Sequence, residues 1–339
     1  MACDSWASKW RGADNDMTSP ATPKRRRIEW IDLARGLALV AMATYHFSWD
    51  LEAFGYLDPG TAGTGPLKWY ARAIASSFLI LVGVSLVLAH GNGVRWNGFG
   101  KRLAMVAGAA AAITVVTWFA TPDAFIFFGI LHEIAVASVL GLLFLRLPAW
   151  ALALLAAVWF SVPFWAKSDL FAHPALLWTG LSPIPPRSND FVPLFPWFAA
   201  VLAGMALGRF MTGSGLTERL ADRPPARNIA TRSLRFIGRH SLITYLVHQP
   251  VLIACVWLFS QVSPAAPPGP DRFISACVNA CIARDSEEVC TAFCGCAMNR
   301  LIEDDLFGGV IAGEITQENN PRVAEISQQC SFEAGIDGN

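Results

Sequence analysis

His46 stands in the apolar run "LARGLALVAMATYHFSWDL", with Asp50 four residues beyond it. Four residues is about one helical turn, so the Asp50 carboxylate can accept from the imidazole, fix its tautomer and raise its basicity. The same run begins with Asp32 and Arg35. At ~100° per residue, Arg35 and His46 fall within ~20° of one helical face, and Asp32 within ~40° of it. His132 and Glu133 interrupt a second apolar run, "FFGILHEIAVAS", and His248 a third, "RHSLITYLVHQPVL". A histidine backed by a carboxylate serves as a general base or as an acyl carrier. Three histidines in three apolar runs point to one shared polar cavity. Plainer roles compete: His248, beside Gln249 and Pro250, fits a hydrogen bond to a neighbouring helix at a kink. Asp32 and Arg35 fit an i,i+3 pair near an interface. His90, His173 and His240 lie at run ends or in loops and read as structural.

The elements that must position these groups are membrane helices. The chain of 339 residues is 54% hydrophobic and 15% charged with 13 Trp, a balance outside that of soluble domains. The apolar residues cluster in runs long enough to cross ~30 Å of hydrocarbon. The pattern predicts an all-α, polytopic helical bundle of about seven transmembrane helices. Its spans are 31–49, 73–89, 103–120, 124–145, 148–165, 193–211 and 240–260. Residues 171–181 are apolar but short and proline-flanked, which suits an interfacial or re-entrant piece. No internal repeat is evident, which argues against inverted-repeat transporters.

Basic residues orient the bundle. Lys24 to Arg27, Arg95, Lys101, Arg102, Arg146, Arg209 and the six arginines from Arg219 to Arg239 fall on one side, and only Lys68, Arg72, Lys167 and Arg187 on the other. The positive-inside rule then predicts a cytoplasmic N-terminus and a C-terminus outside, periplasmic in a bacterial inner membrane. Residues 1–29, polar and basic, read as a disordered cytoplasmic arm without a cleavable signal. Residues 30–263 form the membrane domain. Residues 264–339 form an acidic cysteine-rich tail, holding 12 acidic against 4 basic residues, after a linker marked by Pro264, Pro267, Pro268 and Pro270.

Six of the eight cysteines lie in that tail: Cys277, Cys281, Cys290, Cys294, Cys296 and Cys330. The paired C-x3-C spacings place each pair on one helix face, as in a stapled helical hairpin, and an external tail meets an oxidising compartment. Disulfides are therefore expected over a thiolate metal site, with fifteen pairings open. Cys3 and Cys255 read as free thiols.

No phosphate-binding loop, dinucleotide fingerprint, zinc-protease or serine-hydrolase motif is present, which removes those enzyme classes. Four stretches in order, "RIEWIDLARGLALVAMATYHFSWDL", "FFGILHEIAVASVLGLLFLRLP", "LFPWFAAVLAGMALGR" and "RFIGRHSLITYLVHQPVL", resemble the bacterial branch of the heparan-α-glucosaminide N-acetyltransferase catalytic-domain family. The opening D-x-x-R-G-x-A with a later His is also similar to acyltransferase family 3, in which the first-span histidine, matched by His46, is regarded as catalytic. The resemblance implies cytoplasmic acetyl-CoA as donor. It implies an amine or hydroxyl of a sugar or other small molecule beyond the membrane as acceptor. His46, Asp50, His132, Glu133 and His248 would then be catalytic, and Asp32, Arg35 and Arg239 would sit at the donor mouth. Partners are the lipid bilayer and a carbohydrate or similar acceptor, with no nucleic acid and no metal. A proton-coupled transporter using the same groups as a relay, and a non-enzymatic scaffold binding partners through its tail, are the other classes the residues admit.

Overall fold

A computed structural model describes residues 27–336 except 59, 266–268 and 283; most of the N-terminal arm, with Cys3, lies outside them. Among the described residues the chain is all-helical. The helices of the membrane region are α1 (Glu29–Ala53), α2 (Gly65–His90), α3 (Trp96–Ala120), α4 (Ile130–Phe144), α5 (Ala149–Ser161), α6 (Leu194–Gly213), α7 (Leu216–Asp222), α8 (Ile229–Arg239) and α9 (Ser241–Val262). Four of them, α2, α3, α6 and α9, are long and apolar enough to cross a bilayer; α4 and α5 are shorter apolar helices. The first expected span is the 25-residue α1, whose length suffices but which carries Asp32, Arg35 and Asp50.

The fourth expected span is shorter than the sequence pattern implied. Residues 124–129 are apolar enough to extend it, yet α4 begins only at Ile130. Those residues instead pair with the segment before α6, through Asn189 N–H to Ala124 O (2.8 Å) and Val192 N–H to Phe128 O (3.1 Å). Residues 169–179 form two short 3₁₀ turns, in keeping with a piece that does not span.

Apolar burial cannot drive helix association inside lipid, so close approach and dispersion must do it. Two glycine crossings provide that approach. A Cβ on Gly83 of α2 would lie 2.1 Å from Val201 O of α6, and one on Gly204 of α6 would lie 2.1 Å from Ile80 O of α2. Around this contact Leu79, Phe198, Val201, Leu202 and Met205 are fully enclosed. The second crossing joins α1 to α8: Cβ atoms on Gly36 and Gly238 would lie 2.0 Å from Leu234 O and 1.8 Å from Asp32 O. Elsewhere α3 exposes Met105, Val115, Val116, Trp118 and Phe119, and α9 exposes Val247, Val251, Trp257, Leu258 and Phe259. Apolar surface of that extent is what lipid covers, and the protein is a membrane protein.

The tail comprises α10 (Pro270–Cys281), α11 (Glu287–Glu303), α12 (Phe307–Ile311) and α13 (Pro321–Glu333). Cys277–Cys294 and Cys281–Cys290 staple α10 to α11, and Cys296–Cys330 joins α11 to α13. These bonds consume all six tail cysteines, so the thiolate-metal alternative falls away; Cys255 is a free, exposed thiol. Leu301, Val323 and Ile326 form a small core of its own. Arg272 ties the tail to the loop after α1, donating to Gly55 O (2.9 Å) and pairing with Asp58 (3.0 Å).

Candidate functional site

Helix α1 carries two polar centres, separated along its axis by about 16 Å for the eleven residues between Arg35 and His46. The stretch between them is apolar: Leu39 and Met42 are buried against Ile74, Phe78, Ile237 and Tyr245. The polar stripe expected from helical phase is therefore two centres with an apolar waist.

The first centre lies at the N-terminal end of α1. Buried Asp32 accepts two hydrogen bonds from Arg27 (2.7 and 2.9 Å), with Arg239 at 3.5 Å and Arg35 at 3.9 Å. Arg239 also approaches Glu29, which pairs with Arg235. Charge-assisted contacts of this kind hold α8 against α1 where the two glycines let the backbones touch. Arg35, paired with Asp32 through one guanidinium nitrogen, donates through the other to Ser85 Oγ of α2 (2.5 Å). It lines a cleft of about 620 Å³ together with Arg27, Asp32, Ser85, Arg95 and Arg102. Of the three residues expected at a donor mouth, Asp32 and Arg35 line this cleft, and Arg239 instead joins the Asp32 and Glu29 ion pairs. Arg95 and Arg102 were not singled out in the sequence, where they are indistinguishable from positive-inside bias.

The second centre lies near the other end of α1. The rings of His46 and His248 meet edge to face with centroids 5.0 Å apart, and Tyr45 and Tyr245 flank them, each 5.6 Å from its histidine. His248 Nδ1 lies 2.6 Å from Tyr245 O. A carbonyl can only accept, so Nδ1 carries the hydrogen and Nε2 presents a lone pair. That Nε2 is buried without a hydrogen-bond partner. The carboxylate backing expected for His46 goes elsewhere: Asp50 accepts from Gln249 Nε2 at 2.6 Å, and its second oxygen is buried and unpaired. The i+4 spacing brings Asp50 near His46 along the helix, but the amide of α9 captures the carboxylate.

His132 is built into a helix start. Its Nδ1 accepts from Gly129 N–H (3.2 Å) and its Nε2 meets Thr114 Oγ1 (3.1 Å), whose own proton goes to Ile126 O. Both ring nitrogens are thus engaged at the cap of α4. Glu133, next along, is fully enclosed with neither carboxylate oxygen hydrogen-bonded. Its side chain belongs to the bundle interior, separate from the cap.

One residue of this region carried no sequence signal. Asp190, in the loop before α6, accepts from Ile130 N–H at 2.8 Å and so caps α4 from sixty residues away. A Cβ on Gly129 would lie 2.3 Å from that same Asp190 oxygen, so the glycine makes room for it. Asp190 is within electrostatic reach of both Tyr45 and Tyr245. Burial pushes its carboxyl up to about 6, with the Ile130 N–H acting in the opposite sense. An isolated Asp in a Ser-Asn-Asp loop reads as a turn residue, and only the fold reveals its company.

Neither the curated proteins nor the solved structures include a match to this chain. The sequence profile of the family described as heparan-alpha-glucosaminide N-acetyltransferase, catalytic, matches residues 27–250, about two thirds of the chain and the whole region that carries both polar centres. A histidine pair at one end of a membrane helix and an arginine-lined cleft at the other therefore belong to a member of the heparan-α-glucosaminide N-acetyltransferase catalytic-domain family.

Proposed function

We propose that the protein is an acetyl-CoA-dependent transmembrane acetyltransferase, moving an acetyl group from a cytoplasmic donor to an amine or hydroxyl of a sugar-like acceptor on the far side. The observation that carries this reading is the pairing of two unlike centres on α1: an arginine cleft suited to phosphates and a histidine pair suited to proton transfer. Arg35, Arg95 and Arg102 face a donor polyphosphate through planar, multiply donating guanidinium groups, while Arg27 stays with Asp32 at the cleft's edge. The apolar waist of Leu39 and Met42 keeps bulk water from crossing while an acyl chain passes.

At the far centre His46 acts as the general base or carries the acetyl group itself. His248, with its tautomer set by Tyr245 O, supports it as a second imidazole. Asp50 and Gln249 hold α1 to α9 beneath the pair, and His132, capping α4, with Glu133 enclosed in the bundle, completes the polar groups of this half. In this reading residues 30–263 are the transferase unit and 264–339 a periplasmic module of a bacterial inner-membrane protein whose N-terminus is cytoplasmic.

Donor binding tests the proposal most directly. Acetyl-CoA should stabilise the purified protein against heat, and Arg35→Ala should weaken its apparent affinity by about tenfold, the equivalent of ~1.4 kcal/mol. Absence of any stabilisation would set this reading aside for the transporter or the scaffold, and flux of a solute without acetyl consumption would select the transporter.

A further inference from the structure

Helix α8 and the turn before it sort their four arginines by face. Arg235 pairs with Glu29, and Arg239 reaches Glu29 (3.9 Å) and Asp32 (3.5 Å). Arg227 and Arg232 are exposed and make no ion pair among the described residues. Gly238, against Asp32 O, marks the face turned to α1. Ile229, nine residues earlier, lies ~180° from it, with Phe236 within ~20° and Arg232 within ~60° of Ile229. Ile229 is 85% and Phe236 64% exposed, and the His240 ring packs on that of Phe236 with centroids 4.5 Å apart. The outward face thus carries two large apolar side chains with unpaired guanidinium groups beside them.

The position of α8 decides what covers that face. The helix runs through His240 directly into α9, one of the helices long and apolar enough to cross a bilayer. Just ahead of it, the half-exposed Trp30 of α1 donates its indole N–H to Arg223 O (2.7 Å), the arrangement of a ring with one apolar and one wet side. A helix at the foot of a span, with cations flanking apolar anchors, lies in the headgroup layer with its apolar side toward the acyl chains. The core of a protein partner's interface would be depleted in charge, whereas two unpaired guanidinium groups call for anions, which acidic headgroups supply in that layer. In a zwitterionic headgroup the phosphate is already neutralised by its own cation.

We propose that the outward face of α8 is a docking site for anionic phospholipid. Arg227 and Arg232 take the acidic headgroup, and Ile229 and Phe236 enter the boundary of the acyl chains. On the opposite face Gly36 and Gly238 let α8 and α1 touch through their backbones, so the lipid presses α8 onto the end of α1 that carries Asp32 and the arginine cleft. This inference is independent of the acetyl-transfer reading.

The test uses the full-length protein in nanodiscs of phosphatidylcholine and phosphatidylglycerol in equal parts, with a trace of either lipid in photoactivatable form. Crosslinked peptides are then mapped by mass analysis. Phosphatidylglycerol should label residues 227–240 at least about tenfold more than phosphatidylcholine does, given about fivefold per arginine at an anionic surface. That preference should largely vanish at ~1 M salt, where the screening length is ~3 Å. Arg227→Gln with Arg232→Gln should abolish it, while Lys101→Gln with Arg146→Gln, which removes equal charge from exposed sites elsewhere, should leave it. Phe236→Ser should lower labelling of this segment by both lipids, because it removes an anchor and no charge. Inorganic phosphate at constant ionic strength should not compete. Equal labelling of the wild-type segment by the two lipids overturns the inference without recourse to any variant. So does an equal loss in the two double variants, which would mean a diffuse surface charge, and so does an unchanged Phe236→Ser. Displacement of the lipid by inorganic phosphate would assign the arginines to a soluble ligand and overturn it as well.

Discussion

His46 of α1 and His248 of α9 face each other edge to face with ring centroids 5.0 Å apart, and only His248 has a hydrogen bond that fixes its tautomer. The pair brings together helices at the two ends of the family-matched region. Removing the ring that transfers the proton should be costlier than removing its neighbour. His46→Ala is expected to lower acetyl transfer by about 100- to 10,000-fold, the usual range for a general base, with membrane insertion intact. His248→Ala should fall short of that loss. Incubation with labelled acetyl-CoA alone separates the two roles open to His46: acid-labile acetyl on His46 identifies a carrier, and its absence in an active protein identifies a base.

The Asp50–Gln249 contact makes a different prediction from the one the sequence invites. If Asp50 served His46 directly, Gln249 would be dispensable. The 2.6 Å hydrogen bond between them predicts that Gln249→Ala and Asp50→Ala each lower stability by about 1–3 kcal/mol, the range for a buried polar group left unpaired. The double variant should then be little worse than either single one. A silent Gln249→Ala beside an inactive Asp50→Ala would return Asp50 to His46.

These two contacts show where sequence reading succeeds and stops. Hydrophobic runs locate α1, α2, α3, α6 and α9 because a bilayer-length apolar helix is written locally in the chain. The paired C-x3-C spacings likewise announce a stapled hairpin, because i and i+4 share a helix face whatever the tertiary setting. The choice of partner for Asp50 is set by the approach of α9 to α1, which no local pattern encodes. Helix α4 begins late because Asp190, sixty residues downstream, caps it, and His132 is drawn into that same cap. The arginines of the cleft were visible as residues but not as a cleft, since Arg35, Arg95 and Arg102 meet only when α1, α2 and α3 pack.

The glycine crossings permit a contrast within one protein. Gly36→Ala would place a methyl 2.0 Å from Leu234 O, and that obstacle is backbone. Separation of α1 from α8 should follow, lowering the thermal midpoint by the equivalent of about 1–3 kcal/mol or more and loosening the Asp32 ion pairs. Gly98→Ala in α3 meets nothing within 4 Å and should be neutral or stabilising by up to ~1 kcal/mol through helix propensity. Parallel melting curves of the two variants check the claim, and equal midpoints would refute the crossing.

The tail staples should matter for the tail itself. Cys296–Cys330 spans 34 residues, a closure worth about 4 kcal/mol in the chain-entropy treatment. Cys330→Ser should therefore make residues after α11 sensitive to protease while the membrane region remains protected. Limited proteolysis followed by mass analysis of the fragments gives the result. Equal protection of variant and wild type would show that the Leu301, Val323 and Ile326 core suffices alone.

Asp190 also predicts how stability varies with pH, and the sign is opposite to that of an ordinary ion-paired carboxylate. In the fold its carboxyl is raised to about 6 by burial, above the ~3.9 of an unfolded aspartate. The folded state therefore binds the proton more tightly, so the contribution of this group to stability is fully present below about pH 4 and is lost as pH rises through about 6. Asp190→Asn keeps an acceptor for Ile130 N–H and has no proton to lose. The variant should melt higher than wild type at about pH 7.5, and the gap should close as pH falls to about 4. Melting curves of the two proteins across that window decide the matter: a variant that is less stable at every pH would mean that the anion itself is needed to start α4.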